Sequence, residues 1–320
     1  MSTLEQASAS PMPDGITDPN FRPLPGRVGN LTVPQQHALQ TLKNQLHDEG
    51  HFVQERMDDP MLLRYVLLRN PGEFTLSIDA FYVSRTRDSC PIGRAPCVDP
   101  ACRFLRARKF DVPKAKAMLL AAEQWRRDMK VDEIVSDFEF TEKEQVDQYY
   151  PQYYHKMDKD GRPLYIERLG KLNVQALYGI TSKERLLKRL ILEYERFLTE
   201  RLPACSAAIG HPVETVCTIL DLKGVSLSAF YQVKEYVNDA SKIGQDRYPE
   251  CMGKFYIINA PWGFSAIEIL GSSYQQKLLQ DIRAEDLPAD LGGKCHCAGG
   301  CSLSDAGPWN SDQKTGNGVA

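Results

Sequence analysis

Apolar residues recur at helical spacing in several stretches of this chain and cluster in short β-type runs in others, and the two patterns alternate. After a Pro-, Ser- and Gly-rich opening over residues 1–33, which predicts an irregular tail, Leu39, Leu42 and Leu46 return three or four positions apart. That spacing predicts a helix from about Pro34, with Gly50 as its stop. A second short helix is expected over Asp59–Arg64. Asp111 can cap a helix running through Asp128, in which Ala115, Met118, Leu119, Ala122 and Trp125 form one apolar stripe.

Further on, Thr181 and Glu184 stand at capping-box spacing, and Leu187, Leu190, Ile191, Tyr194 and Leu198 mark a long amphipathic helix behind them. Another helix is expected over Leu227–Ser241. Between the helices lie runs rich in β-branched and aromatic residues, Leu164–Arg168, Val216–Leu222 and Lys254–Ala260. Strands separated by helices imply parallel crossovers, hence an α/β fold in which helices cover a mostly parallel sheet. The boundaries follow: an irregular tail over 1–33, a small all-helical unit over 34–130, an α/β domain over 131–300 and a second tail over 301–320. The helical unit is interrupted by breaker-rich residues 65–103, without a sustained period.

Composition excludes more than it assigns. With 320 residues, 42% of them apolar, the chain can bury one large core and a smaller attachment. A net charge of −3 offers no basic face, so no nucleic-acid partner is expected and any membrane contact must be local and apolar. The opening MSTLEQASASPMPDG lacks the pattern of a secretory signal, and no uncharged apolar run nears the roughly 20 residues needed to span a bilayer. Nine cysteines, an odd number, fit reduced thiols, which together with the missing signal predicts a cytoplasmic protein.

Catalytic motifs are missing: there is no GxSxG elbow, no GxxxxGK[ST] loop and no HExxH pair. The histidines are scattered, and His155 and His211 read as structural side chains. Cys295, His296, Cys297 and Cys301 form one dense group of metal-type ligands, but closed zinc sites usually pair two CxxC-like halves. A glycine-rich turn is therefore expected there, and no metal. Arg103, Arg106, Arg108 and Lys109 form either a solvated helix end or a bidentate grip on phosphate. Tyr149, Tyr150, Tyr153 and Tyr154, followed by DKDGRP and Tyr165, suggest a hairpin-like turn at Asp160 and Gly161, its tyrosines packing the core or rimming a head group.

Longer stretches are more specific. RFLRARKFDV, YYPQYYHKMDKDGRPLY, RLPACS, HPVETVCTILDLKG, YPECMGKFYIINAPWGF and ILGSSYQQKLLQDI together resemble the CRAL-TRIO lipid-binding family, and within it the fungal phosphatidylinositol/phosphatidylcholine carriers, from about Pro23 through Trp309. The resemblance implies a helical N-terminal unit on an α/β lipid pocket closed by a helical gate. It implies a non-enzymatic monomer with bound phospholipid as cargo and no cofactor, visiting Golgi membranes and supporting phosphoinositide synthesis and secretory traffic. By position it places Arg108 and Lys109 near the inositol phosphate and makes Glu250 an acceptor for inositol hydroxyls. Tyr154, Tyr165, Thr218 and Tyr248 become the phosphatidylcholine head-group shell, with Val216 where the family has a serine. Shielding the cargo is a physical need, since each exposed methylene costs about 0.8 kcal/mol.

Two departures from the family stand out. Its LLR runs directly into FLRARKFDV, whereas here Tyr65–Arg103 intervenes after Arg64. Codons available at both borders include intron-like sequences, so a retained intron is expected, and the insert should add nothing to the core. The second departure is in the gate: Ser265 passes almost directly to Ile267, with no residue for the gate lysine that contacts inositol phosphate. If Lys254–Ala260 and Ile267–Leu270 were parallel neighbours, their crossover would need a dozen or more residues, which Pro261–Ala266 cannot supply. The chain as written thus reads as a carrier, as a lipid sensor or adaptor without efficient exchange, or as a splice or gene-model variant. A nucleotide-dependent enzyme is disfavoured by the missing phosphate loop.

Overall fold

The structure, a computed structural model, describes residues 16–53, 100–225, 227–260, 269–270 and 273–310. The helix expected over Asp59–Arg64, most of the insert and the shortened gate near 265–267 lie outside the described residues. The elements are helices α1 (Val33–Asp48), α2 (Pro100–Ala107), α3 (Val112–Asp128), α4 (Val131–Asp137) and α5 (Lys143–Tyr149), then strands β1 (Gln152–Met157) and β2 (Pro163–Arg168). Next come α6 (Val174–Ile180), α7 (Lys183–Arg196), α8 (Leu202–Ile209), β3 (Val216–Asp221), α9 (Leu227–Arg247), β4 (Met252–Ile258), β5 (Ile269–Leu270) and α10 (Tyr274–Asp281). Two compact units result, Met1–Glu123 with Ile209–Pro212, and Gln124–Ala208 with Val213–Ala320.

In the first unit α1 starts where Gln35 accepts a hydrogen bond from the Thr32 amide at 2.9 Å, with a proline in the opening turn, and it ends just before Gly50 at φ +68°. Its Ala38, Leu42 and Leu46 pack with Ala101, Leu105, Ala115 and Leu119 into one core. Ala101 and Cys102 are fully buried at the start of α2, and Arg103 is buried as well. This corrects the expectation that the whole of Tyr65–Arg103 adds nothing to the core. Pro100 suits a first helical position, and Ala101 with Leu105 makes an i, i+4 apolar pair that needs the next helix. Asp111 caps α3 as expected, accepting from the Lys114 amide at 3.0 Å. Part of the N-terminal tail is anchored: Thr17 and Asp18 amides donate to the Gly210 carbonyl at 2.8 and 3.1 Å, and Phe21 stacks on His211. Only glycine suits position 210, whose φ is +77° and whose absent Cβ would meet the Thr17 hydroxyl at 2.3 Å.

The second unit is built on a five-stranded sheet in the order β1-β2-β3-β4-β5. The first pair is antiparallel and the rest are parallel, as an α/β fold requires. The DKDGR turn between β1 and β2 is held by Asp158, whose buried carboxylate accepts from the Asp160 and Arg162 amides at 3.0 and 2.8 Å and from the Arg162 guanidinium at 3.0 Å. One face of the sheet packs Leu164, Ile166, Cys217, Ile219, Tyr256 and Ile258 beneath Leu278 of α10 and the following Ile282, Leu287 and Leu291. On the other side Leu220, Leu222 and Ile257 meet α5 to α7 and α9 through Val146, Leu177, Leu186 and Tyr236.

Three details differ from the sequence reading. Ser182, not Thr181, caps α7, accepting from the Arg185 amide at 3.2 Å, because the Thr181 hydroxyl is donated to Glu142 at 2.7 Å. Strand β1 precedes the expected turn, formed from tyrosines read only as its flank. Finally, β5 does pair in parallel with β4, through Ile257 with Ile269 and Ile258 with Leu270. The crossover argument fails because those partners sit at the very end of β4. The chain therefore returns over two residues of strand rather than a whole strand length, and residues 259–268 suffice.

Candidate functional site

Registered neighbours in a sheet share a face, so pairing alone assembles a site on the second unit. Tyr154 pairs with Tyr165, Tyr165 with Thr218 and Thr218 with Phe255. These form one row across four strands, on the face opposite the α10 core. The Tyr154 and Tyr165 rings lie 5.0 Å apart. Burial pushes both phenols well above their ordinary range, so at neutral pH each remains a protonated donor. Three of the four expected choline-shell residues are thus brought together.

The fourth, Tyr248, is stacked on Tyr194 at 4.5 Å and donates its hydroxyl to Glu195 at 2.8 Å. Buried Glu195 is itself gripped by Arg126. Tyr194 joins the two groups, since its charge environment reaches Tyr154.

Sequence reasoning missed the cations. Where α7 ends, the helix continues through a π-type turn, Phe197–Arg201, before α8. Such a turn adds one residue per ring of hydrogen bonds and is common at functional sites. Here it turns Arg201 inward, with its guanidinium 4.1 Å above the Tyr154 ring and 5.9 Å from that of Trp309. Burial works against the Arg201 charge, but Glu193, 3.1 Å away, and Tyr154 outweigh it. Its Nε and Nη1 are buried with no hydrogen-bond partner among the described residues, as is Nη1 of Arg189. Tyr154, Tyr165, Arg189, Arg196 and Arg201 line a cavity of about 150 Å³, which also admits Glu193 and Asp305. That volume is below the roughly 300–1,000 Å³ of pockets for drug-sized ligands, so it suits a polar head group rather than acyl chains.

Arg108 and Lys109 belong to the first unit and Glu250 to the second. Arg108 donates to the Ala107 carbonyl at 3.1 Å, while Lys109 and Glu250 both adopt left-handed backbone, at φ 52° and 59°. Two exposed side chains at strained turns, Lys109 and Glu250, are thus held in place by backbone rather than by packing. Among the described residues no helix is long and apolar enough to cross a membrane.

Known proteins bear on this arrangement. The CRAL/TRIO domain profile matches residues 147–268, and the CRAL/TRIO N-terminal domain profile matches residues 101–121. The Sec14 cytosolic factor of Schizosaccharomyces pombe is 41% identical over 97% of this chain and 98% of its own length. That of Candida glabrata is 44% identical over 92% of this chain and 90% of its own. The Arabidopsis thaliana phosphatidylinositol/phosphatidylcholine transfer protein SFH4 is 44% identical over 66% of this chain and 38% of its own length. The chain belongs to the CRAL/TRIO family, whose Sec14-like members carry lipid as cargo, need no cofactor and are not enzymes.

Proposed function

We propose that this chain is a carrier of phosphatidylinositol and phosphatidylcholine between membranes, one phospholipid at a time. The observation that carries the reading is the Tyr154, Tyr165 and Thr218 row, opening on a cavity that holds the buried charge of Arg201. A phosphodiester oxygen can accept from Arg201, and the tyrosine hydroxyls can donate beside it. The quaternary ammonium of choline suits the aromatic faces. An inositol ring offers hydroxyl donors to Glu250 and a phosphate to Arg108 and Lys109. The protein would work as a monomer in the cytoplasm, touching Golgi membranes and supplying phosphatidylinositol for phosphoinositide synthesis and secretory traffic. Purified protein should contain one phospholipid by native mass spectrometry and move labelled lipid of both classes between vesicles without nucleotide. Bound nucleotide in place of lipid, or transfer that needs it, would overturn the proposal.

The link between β4 and β5, residues 259–268, favours a second reading, a sensor or adaptor that binds without efficient exchange. A lid must cover acyl chains in transit and open at a membrane. Inserting a family-type gate helix after Ser265 is expected to raise vesicle-to-vesicle transfer at least about tenfold, that is about 1.4 kcal/mol. Equal rates before and after insertion would show that this chain closes its pocket without one.

A further inference from the structure

On the edge strand, β1 loses its register between Tyr154 and Met157, and Lys156 takes a left-handed φ of 52°. A bulge of this kind re-aims the side chain beside it. His155 ends fully buried, next to a segment about 140 residues later in the chain. In that segment Cys295 is pinned by its amide to the Leu287 carbonyl at 3.0 Å and by its carbonyl to the Ala289 amide at 3.2 Å. Gly299 and Gly300, at φ 75° and 98°, turn the chain so that Cys301 comes back under Cys297. No atom lies within 4 Å of a Cβ built on either glycine, so the turn requires their backbone freedom and not their small size.

We propose that His155, Cys295, Cys297 and Cys301 bind one zinc ion, which staples residues 295–309 to strand β1. Their four ligand atoms all lie within 4.8 Å of one another. The Cys295 and Cys297 sulfurs are 3.7 Å apart, close to the roughly 3.8 Å edge of a tetrahedron with metal–sulfur bonds of about 2.3 Å. The histidine is set for the task. Its Nδ1 lies 3.4 Å from the Ser304 hydroxyl, which is itself donated to the Cys301 carbonyl at 3.0 Å. The hydroxyl therefore accepts from Nδ1–H, and this fixes the tautomer that leaves the Nε2 lone pair free. That Nε2 is buried with no hydrogen-bond partner among the described residues. Three thiols and one imidazole make a closed Cys₃His set of the kind used by structural zinc. Binding displaces three thiol protons and leaves one net negative charge, which the Lys156 ammonium, in hydrogen-bonding reach of Cys295, offsets.

The ion would be structural and separate from the cargo. Its ligands precede Asp305 and Trp309, and the Lys156 amide donates to the Ala306 carbonyl at 2.5 Å. Trp309 packs edge-on to Tyr154 at 6.3 Å. The staple would therefore hold one wall of the head-group cavity.

Full-length protein purified under reducing conditions should contain one zinc per chain by elemental mass spectrometry. His155→Ala and Cys301→Ser should each weaken zinc affinity more than about 100-fold in competition with a chromogenic chelator, beyond the 10–100-fold typical of outer partners. His296→Ala, at an exposed side chain, should leave it unchanged. Cobalt(II) added to the metal-free protein should give thiolate charge-transfer and tetrahedral ligand-field bands that fade in Cys301→Ser, a variant in a half-buried turn that does not open the core. Absence of zinc and of cobalt bands, parent-like affinity in His155→Ala and Cys301→Ser, or a Cys297–Cys301 disulfide in the reduced preparation would overturn the site. None of these readouts involves lipid, so the proposal stands or falls apart from the transfer reading.

Discussion

Two rows of side chains cross the same four strands one residue apart. Tyr153, Ile166, Ile219 and Tyr256 are at most 8% exposed and lie under α10, while Tyr154, Tyr165, Thr218 and Phe255 face the other way, ending in a Phe255 that is 37% exposed. The first row is apolar and is finished by its own helix. The second mixes hydroxyls with aromatic rings and borders a cavity whose buried arginines have donors to spare. A strand repeats every two residues, so one sheet can be a packed foundation on one face and a receptor on the other without any change in backbone. The fastenings differ as well. The packed face relies on apolar contact, whereas α7, over the other face, is tied by Arg185 to Glu142 and by Arg189 to Asp147 at 2.9 Å.

The sharpest way to break this comparison is Ile219→Ala. A fully buried aliphatic side chain under α10 should cost about 2–5 kcal/mol in urea unfolding, with transfer per folded molecule unchanged. Its counterpart is Tyr165→Phe combined with Thr218→Val. The pair should lower phosphatidylcholine transfer about tenfold, or 1.4 kcal/mol, with an unfolding midpoint close to the parent. If both variants damage stability alike, the two faces are not divided in labour.

Smaller in effect, Arg108→Ala with Lys109→Ala should lower phosphatidylinositol transfer roughly threefold more than phosphatidylcholine transfer, a difference of about 0.7 kcal/mol. Equal losses would return both residues to the solvated helix end.

Acid probes the fastenings most gently. Hydrogen bonds from Arg185, opposed by burial and helped by Thr181, hold Glu142 down at about 2, against an ordinary 4.5. Its folded value is the lower one, so its stabilisation is complete above pH 4.5 and is lost as pH falls toward about 2. Hydrogen exchange in that window should quicken in α5 and α7 before α10, and Glu142→Gln should remove that share of the acid dependence. Simultaneous loosening of all three helices would show that the ion pair carries nothing local.

Helices with a sustained stripe were readable in advance, as were the strands around Ile166, Ile219 and Ile257, because period and β-branching are local signals. Tyr154, Tyr165 and Thr218 could be named from motif resemblance, but their register could not, since pairing is settled between strands. Strand β1 was hidden by its own aromatic run, which a core or a head-group rim would explain equally well. His155 was missed as a partner for the cysteines because its bulge and the Gly299–Gly300 turn act together only after folding. Arg201 was missed because a helical wheel drawn at 3.6 residues per turn points it the wrong way once the π-type turn begins.

That turn has a consequence for how such a pocket can change. One residue of an α-helix accounts for about 100° of rotation, so removing Thr199 would let Phe197–Arg201 relax to ordinary helix and swing everything beyond it round the axis. The guanidinium would leave the Tyr154 ring with no amino acid substituted and helical content nearly intact. Cargo preference in this fold can therefore drift by a single-codon deletion, a rotation of the dial rather than an exchange of its parts.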